Sequence, residues 1–140
     1  MTESGNWINV TSLGDLMDKQ AEKYGDKDAI VFPEGRYSYQ DIATYAQNIS
    51  KALLALGVEP GDRVGYFLQE CIDTIGIIIG AAKIGAITAP INSRFKTTEL
   101  KQVIVHAGMK VIFTSSPEVG TDFNGLINET FPQIAESPSQ

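Results

Sequence analysis

Residues 61–100 read GDRVGYFLQECIDTIGIIIGAAKIGAITAPINSRFKTTEL. Val64 to Leu68 shows little polar alternation, the pattern of a strand covered on both faces in a parallel sheet. Cys71 to Ile84 reads as a helix, and Ala86 to Ala89 as a short strand ended by Pro90. Thr98 to Ala107 reads as a second helix, capped by Thr97 and stopped by Gly108, before a last strand over Val111 to Thr114. Strands separated by single helices and short connections predict parallel pairing with right-handed crossovers. Residues 61–114 are therefore expected to form a βαβαβ unit.

Outward from this unit the periodicity changes. Leu13, Leu16, Met17, Gln20, Ala21 and Tyr24 trace one helical face, with Ser12 and Asp15 at capping-box spacing and Gly25 as a stop. Ala29 to Phe32 and Arg36 to Tyr39 are short β-type runs around a Pro33-Glu34-Gly35 turn. Ser38 then caps a helix, with Asp41 three residues on and Ile42, Tyr45, Ile49, Leu53 and Leu56 at helical spacing up to Gly57. This gives a helix-and-hairpin part over residues 11–57, and Glu59-Pro60-Gly61-Asp62 turns the chain into the first strand. At the other end, Phe123, Leu126, Ile127 and Thr130 mark a weakly helical tail over residues 117–140, interrupted by Pro132. The expected fold class is α/β: a largely parallel βαβαβ sheet flanked by helices, with an N-terminal helix and β-hairpin.

At 140 residues the chain fits one domain and can bury a core, losing roughly two-thirds of its unfolded surface on folding. A hydrophobic content of 43% with 20% charged residues is that of a globular protein. The net charge of −6 argues against general nucleic-acid or anionic-membrane binding, since both need a basic face. Cys71 is the only cysteine, which excludes an intrachain disulfide and a cysteine-based metal site and makes a reducing compartment the default. The start MTESGNWINV has neither a basic n-region nor an apolar h-region, so the expected localisation is cytoplasmic. The glycosylation sequons at Asn9, Asn48 and Asn128 then carry no meaning.

From Thr74 to Ala82 nine successive residues lack a charge, and Ile75, Ile77, Ile78 and Ile79 point around the whole helix axis. Asp73 and Lys83 bracket a stretch about half the ~20 residues a bilayer needs, so no membrane span is expected. A helix apolar all round must be covered all round, and a small domain has little material for that. The expected cover for helix 72–84 is chain outside this segment, or a second copy.

Motifs for other nucleotide folds are missing. The turn Leu68-Gln69-Glu70-Cys71 has no glycine and sets a carboxylate where a dinucleotide pyrophosphate would sit. No G-x-x-x-x-G-K-[ST] run occurs. Thr114 to Thr121 (TSSPEVGT) carries hydroxyls after a strand, but it has one glycine, no lysine, and Glu118 where an anion would be repelled. His106, the only histidine, sits near a helix end just before Gly108, a cap-like or solvated place. Asp15, Asp18, Glu22, Asp26 and Asp28 read as solvated surface.

Three stretches together carry a family resemblance: Gly61-Asp62-Arg63-Val64, Tyr37-Ser38-Tyr39-Gln40-Asp41-Ile42, and Lys83-Ile84-Gly85-Ala86-Ile87-Thr88-Ala89-Pro90-Ile91-Asn92. The chain from about Leu13 to Thr114 resembles the N-terminal part of adenylate-forming (AMP-binding) enzymes, especially acyl-CoA synthetases. Asp41 and Ile42 stand where that family usually has Glu and Leu. The resemblance implies a two-step ligation. A carboxylate attacks the α-phosphate of ATP with Mg²⁺ present, releasing pyrophosphate, and a thiol, usually of CoA, then displaces AMP. The family's Ser/Thr/Gly-rich loop ending in Pro-Lys-Gly, its ribose-binding acid and its C-terminal lysine have no counterpart before Gln140.

The resemblance therefore implies a partial N-terminal subdomain over residues 1–140, inactive alone, with ATP, Mg²⁺ and CoA belonging to a full-length parent. No catalytic or metal-binding residue is expected in this segment. Its expected partner is the remainder of the enzyme. The one candidate ligand contact is Arg94, which the resemblance places at the phosphorylated nucleotide end of CoA, with Lys96 as a looser second charge. A solvated Arg94, or one paired with Glu99, is the alternative. Fatty, aromatic and short acids stay open as substrates, as does a carrier-protein thiol. The competing reading is a short, non-catalytic interaction or dimerisation module derived from the same family.

Overall fold

The Ser12 hydroxyl accepts the Asp15 backbone N–H at 3.2 Å and opens α1 (Leu13–Tyr24), which Gly25 ends with a φ of 53°. The structure is a computed structural model and describes residues 12–69, 71–115 and 120–135. β1 (Asp28–Phe32) and β2 (Gly35–Ser38) form an antiparallel hairpin in which Phe32 faces Gly35. The turn is thus Pro33-Glu34 alone, and Gly35 belongs to the strand. Ser38 and Asp41 make a reciprocal capping box at the start of α2 (Tyr39–Ala55): Ser38 Oγ accepts the Asp41 N–H at 3.0 Å, and the Asp41 carboxylate accepts the Ser38 N–H at 2.9 Å. The Ser38 hydroxyl first, and its backbone N–H second, hold the Asp41 carboxyl below its ordinary value.

The parallel sheet has the order β4-β3-β5, with β3 (Arg63–Phe67) at the centre, β4 (Ile87–Pro90) on one side and β5 (Met109–Thr114) on the other. α3 (Ile72–Lys83) links β3 to β4, and α4 (Thr97–Ala107) returns across β3 to β5. The unalternating strand is buried as its composition requires, with Val64 and Phe67 inaccessible. Val64 joins Leu53, Ile77 and Ala81 in a core against α2 and α3. Phe67 joins Leu100, Ile104, Phe123 and Ile127 in a second core against α4 and α5 (Phe123–Thr130). Helices thus cover both faces.

Three local findings refine the sequence reading. Thr97 does not cap α4: Lys96 holds the N-cap place and Thr97 is the first helical residue. Glu99 decides this, its carboxylate accepting the Lys96 backbone N–H at 3.1 Å. Only this half of a capping box can form, because a lysine side chain has no acceptor. β5 starts at Met109 rather than Val111, with a register irregularity opposite Arg63 and Val64. That irregularity lets Met109 and Ile112, three apart, pack in the same core. Beyond α5, Pro132 starts a new short helix, α6 (Pro132–Ala135), where its missing N–H costs nothing. Of the hydroxyl loop Thr114–Thr121, residues 116–119 lie outside the described residues, as do residues 136–140 of the tail.

The chain itself covers most of α3. Thr74, Gly76, Ile77, Ile79, Gly80 and Ala81 are buried, between the sheet on one side and α1 and α2 on the other. Gly76 and Gly80 make this possible, since a Cβ on Gly80 would come within 2.8 Å of the Ala46 carbonyl oxygen of α2. α1 packs as closely through Gly14 against the Lys83 backbone, and Lys83 pairs with Asp18. Ile72, Ile75, Ile78 and Ala82 stay half-buried, and only this remainder is left for cover from elsewhere. Among the described residues no helix is long and apolar enough to cross a membrane.

Candidate functional site

β3 hands the chain to α3 on one face of the sheet, and β4 hands it to α4 on the other. Neighbouring strands whose connections leave in opposite directions open a crevice at their carboxyl ends, where α/β folds place ligands. Here it measures about 400 Å³. The end of β3 contributes Tyr66, Leu68 and Gln69, and the first turn of α3 contributes Thr74. Pro90 to Ser93 close it from the β4 side. A shallower groove of about 820 Å³ lies between α4 and α5, with His106 and Glu129 on its walls. It is a helix-side surface, away from the strand ends.

The first turn of α3 has an unusual polar arrangement. Cys71 holds the N-cap place without a side-chain cap, and the Thr74 N–H donates to the Cys71 carbonyl at 3.2 Å. Asp73 takes the Tyr45 hydroxyl of α2 as a donor, and the Cys71 thiol lies 3.7 Å from its other oxygen. Burial first, and the Asp73 carboxylate second, push the Tyr45 phenol up to about 12. Thr74 is buried, yet its hydroxyl has no hydrogen-bond partner among the described residues.

On the β4 side, Asn92 organises the loop. Its Oδ1 accepts the Arg94 N–H at 3.0 Å, and its carbonyl accepts the Phe95 N–H at 3.0 Å. Arg94 is exposed, stands just outside the crevice lining, and makes no ion pair among the described residues. The Arg94–Glu99 pair is not formed, Glu99 being engaged with the Lys96 backbone. His106 is exposed in the last turn of α4, before Gly108 in the left-handed conformation. No group of His, Cys, Asp and Glu side chains among the described residues is arranged to hold a metal ion.

Sequence reasoning placed Arg94 on this loop but passed over Thr74. The only signal for Thr74 was a lone hydroxyl inside an apolar run, and its lack of a partner is a tertiary fact.

Known proteins share this architecture. A sequence model of the family described as AMP-binding enzyme matches residues 17–137. The acyl-CoA ligase sidI of Aspergillus fumigatus is 32% identical over 115 residues, covering 81% of this chain and 19% of that protein. The crotonobetaine/carnitine–CoA ligase of Salmonella paratyphi A is 34% identical over 114 residues, covering 78% and 22%. Among solved structures, a fatty acyl CoA synthetase of Mycobacterium tuberculosis superposes with a TM-score of 0.73 at 26% identity, covering 92% of this chain and 24% of that one. The chain thus spans about a fifth of the length of the curated relatives it matches. With the family model matching most of its residues, this chain belongs to the AMP-binding enzyme family.

Proposed function

We propose that this chain is the N-terminal subdomain of a cytoplasmic, ATP-dependent acyl-CoA synthetase, which converts a carboxylate to an acyl-adenylate and then to an acyl thioester. The observation that carries this reading is the match, over most of the chain, to proteins named as CoA ligases of which it spans only about a fifth. In the first step a carboxylate oxygen bonds to the α-phosphorus of ATP and pyrophosphate leaves. In the second, a thiolate sulfur bonds to the acyl carbon and AMP leaves. Such phosphoryl chemistry needs backbone donors, cations and metal at the transferring centre. The sequence offers no run that supplies them, so the segment serves as scaffold and is inert alone. The half-buried stripe Ile72, Ile75, Ile78 and Ala82 faces the remainder of the enzyme.

Within this reading Arg94 is the CoA contact. A guanidinium offers a fixed fork of donors to phosphate oxygens. Its exposure, its lack of an ion pair among the described residues, and the backbone hold from Asn92 support that role. The function is tested by pyrophosphate exchange. The chain incubated with ATP, Mg²⁺ and a panel of carboxylic acids should give no exchange above buffer, whereas the chain joined to the ligase remainder should exchange. Exchange by the chain alone would overturn the scaffold reading.

A further inference from the structure

The groove of about 820 Å³ between α4 and α5 is lined from both helices. On α4, Thr98, Lys101, Gln102 and Val105 follow one another at i, i+3, i+4 and i+7, the spacing of a single helix face. That face is exposed, while Leu100 and Ile104 turn into the core. From the α5 side comes Glu129. Lys101 and Glu129 thus put opposite charges on the two walls, and neither makes an ion pair among the described residues. Val105, in the same groove, is 64% exposed, more than any other large hydrophobic side chain among the described residues.

A lone exposed valine needs no explanation. Joined in one concavity with two unpaired opposite charges, it defines what fits: a surface apolar at one point, anionic opposite Lys101 and cationic opposite Glu129. The face itself carries that set. Turned about a two-fold axis, a second copy brings its Glu129 to Lys101 and its Lys101 to Glu129, since an isologous contact makes each pairing twice. A strongly acidic or strongly basic partner would satisfy one wall and be repelled by the other. α4 and α5 lie on the sheet face opposite α3. Cover on the stripe Ile72, Ile75, Ile78 and Ala82 therefore leaves this groove open.

We propose that two copies of this chain associate through the α4–α5 groove as a two-fold dimer, with reciprocal Lys101–Glu129 pairs and Val105 as the apolar contact. The face is two helices wide, and α4, with 11 residues, is roughly 16 Å long. Such a face belongs to the small class of transient interfaces, under about 1,200 Å². The dimer is accordingly weak and concentration-dependent. It does not rest on the ligase reading.

Sedimentation velocity of the full chain, from micromolar to millimolar concentration, should show a reversible monomer–dimer equilibrium. A monomer throughout would overturn the proposal. Val105→Asp should raise the dimer Kd about tenfold or more, because an unpaired charge then sits in the contact. Lys101→Glu and Glu129→Lys should each raise it about 3–10-fold, since both pairs turn repulsive. All three side chains are exposed, so the thermal midpoints should stay near that of the parent. The decisive sample is an equimolar mixture of the Lys101→Glu and Glu129→Lys proteins. Their heterodimer regains both opposite-charge pairs and should form about as tightly as the parent dimer. Each variant stays net negative, so overall charge attraction cannot produce that rescue. Rescue in the double variant but not in the mixture would assign the pair to a single chain and overturn the dimer. Association untouched by Val105→Asp would place the contact elsewhere, the α3 stripe included, and overturn it as well.

Discussion

Gly76 of α3 lies under the ring of Tyr45 on α2, so closely that a Cβ built on Gly76 would fall 2.1 Å from Tyr45 Cδ1. The ring cannot move freely, because its hydroxyl is tied to Asp73 one turn earlier on the same helix. Gly76→Ala would gain up to ~1 kcal/mol of helix propensity. Against this stands overpacking, at about 1–3 kcal/mol. We expect net destabilisation, read as a lower urea midpoint at unchanged slope. In a Tyr45→Ala background the ring is gone, and Gly76→Ala should become neutral or stabilising, a coupling that a double-mutant cycle isolates. Additive effects would mean that the ring yields without cost.

Gly80 differs in what it meets. Its Cβ would approach the Ala46 carbonyl oxygen at 2.8 Å and Ile49 Cγ2 at 2.7 Å. A backbone oxygen cannot turn aside as a side chain can. Gly80→Ala should therefore cost more than Gly76→Ala, by about 1 kcal/mol within the overpacking range. The same urea midpoints decide the order, and a reversed order would show that α2 shifts as a body.

The Tyr45 phenol, pushed from 10.0 to about 12, gives a signal of its own. The folded state holds this proton more tightly than the unfolded state does. Its contribution is fully present below pH 10 and is lost as pH rises towards 12. Absorbance titration should show one late tyrosine step, absent in Tyr45→Phe. The stability gap between the two proteins should also close across that alkaline window. A Tyr45→Phe curve with the late step intact would assign it to another tyrosine.

Asp62 works in the opposite sense. Lys110 Nζ donates to its carboxylate at 2.6 Å, and also to the Gly57 carbonyl at 2.6 Å, joining the start of β5 to the end of α2. The Lys110 hydrogen bond first, and the Glu59 N–H second, hold the Asp62 carboxyl below its ordinary value of 3.8. A depressed carboxyl stabilises the fold above that value, and the contribution is lost as pH falls through the lower folded value. Asp62→Asn should thus be less stable than the parent at neutral pH and nearly equal to it well below pH 3.8. Urea midpoints at the two pH values provide the comparison. A gap that persists in acid would mean that the carboxamide lost packing rather than charge.

What the sequence made legible divides along the range of the interactions. Ser38 with Asp41, Gly25, and the unalternating Val64–Leu68 run are local or one-dimensional signals, and the structure has them in place. Thr97 failed as a cap because Lys96 and Glu99 settled the same end through a backbone bond, which composition does not rank. Cover for α3 was sought outside the chain because periodicity counts apolar directions and not distances. The glycines at 14, 76 and 80 bring α1 and α2 close enough to fill most of them. Arg94 was legible as a loop residue from Pro90 and the following helix. The crevice beside it was not, because it exists only once β4 and β3 are neighbours and their helices leave in opposite directions.

Arg94 carries the last prediction. Asn92 fixes its backbone, Glu99 is occupied elsewhere, and its side chain makes no ion pair among the described residues. An arginine so placed loses nothing internal when truncated, so Arg94→Ala should leave thermal stability within experimental error. In the complete ligase the same change should weaken CoA binding by ~1–3 kcal/mol, the range for a hydrogen bond to a charged group. Adenylation, which precedes thiol entry, should proceed at the parent rate. Dephospho-CoA separates the two ends of the ligand. If Arg94 meets the 3′-phosphate, the mutation costs affinity for CoA and spares dephospho-CoA. An equal loss for both would place the guanidinium elsewhere on the nucleotide, and no loss for either would leave it a solvated loop residue.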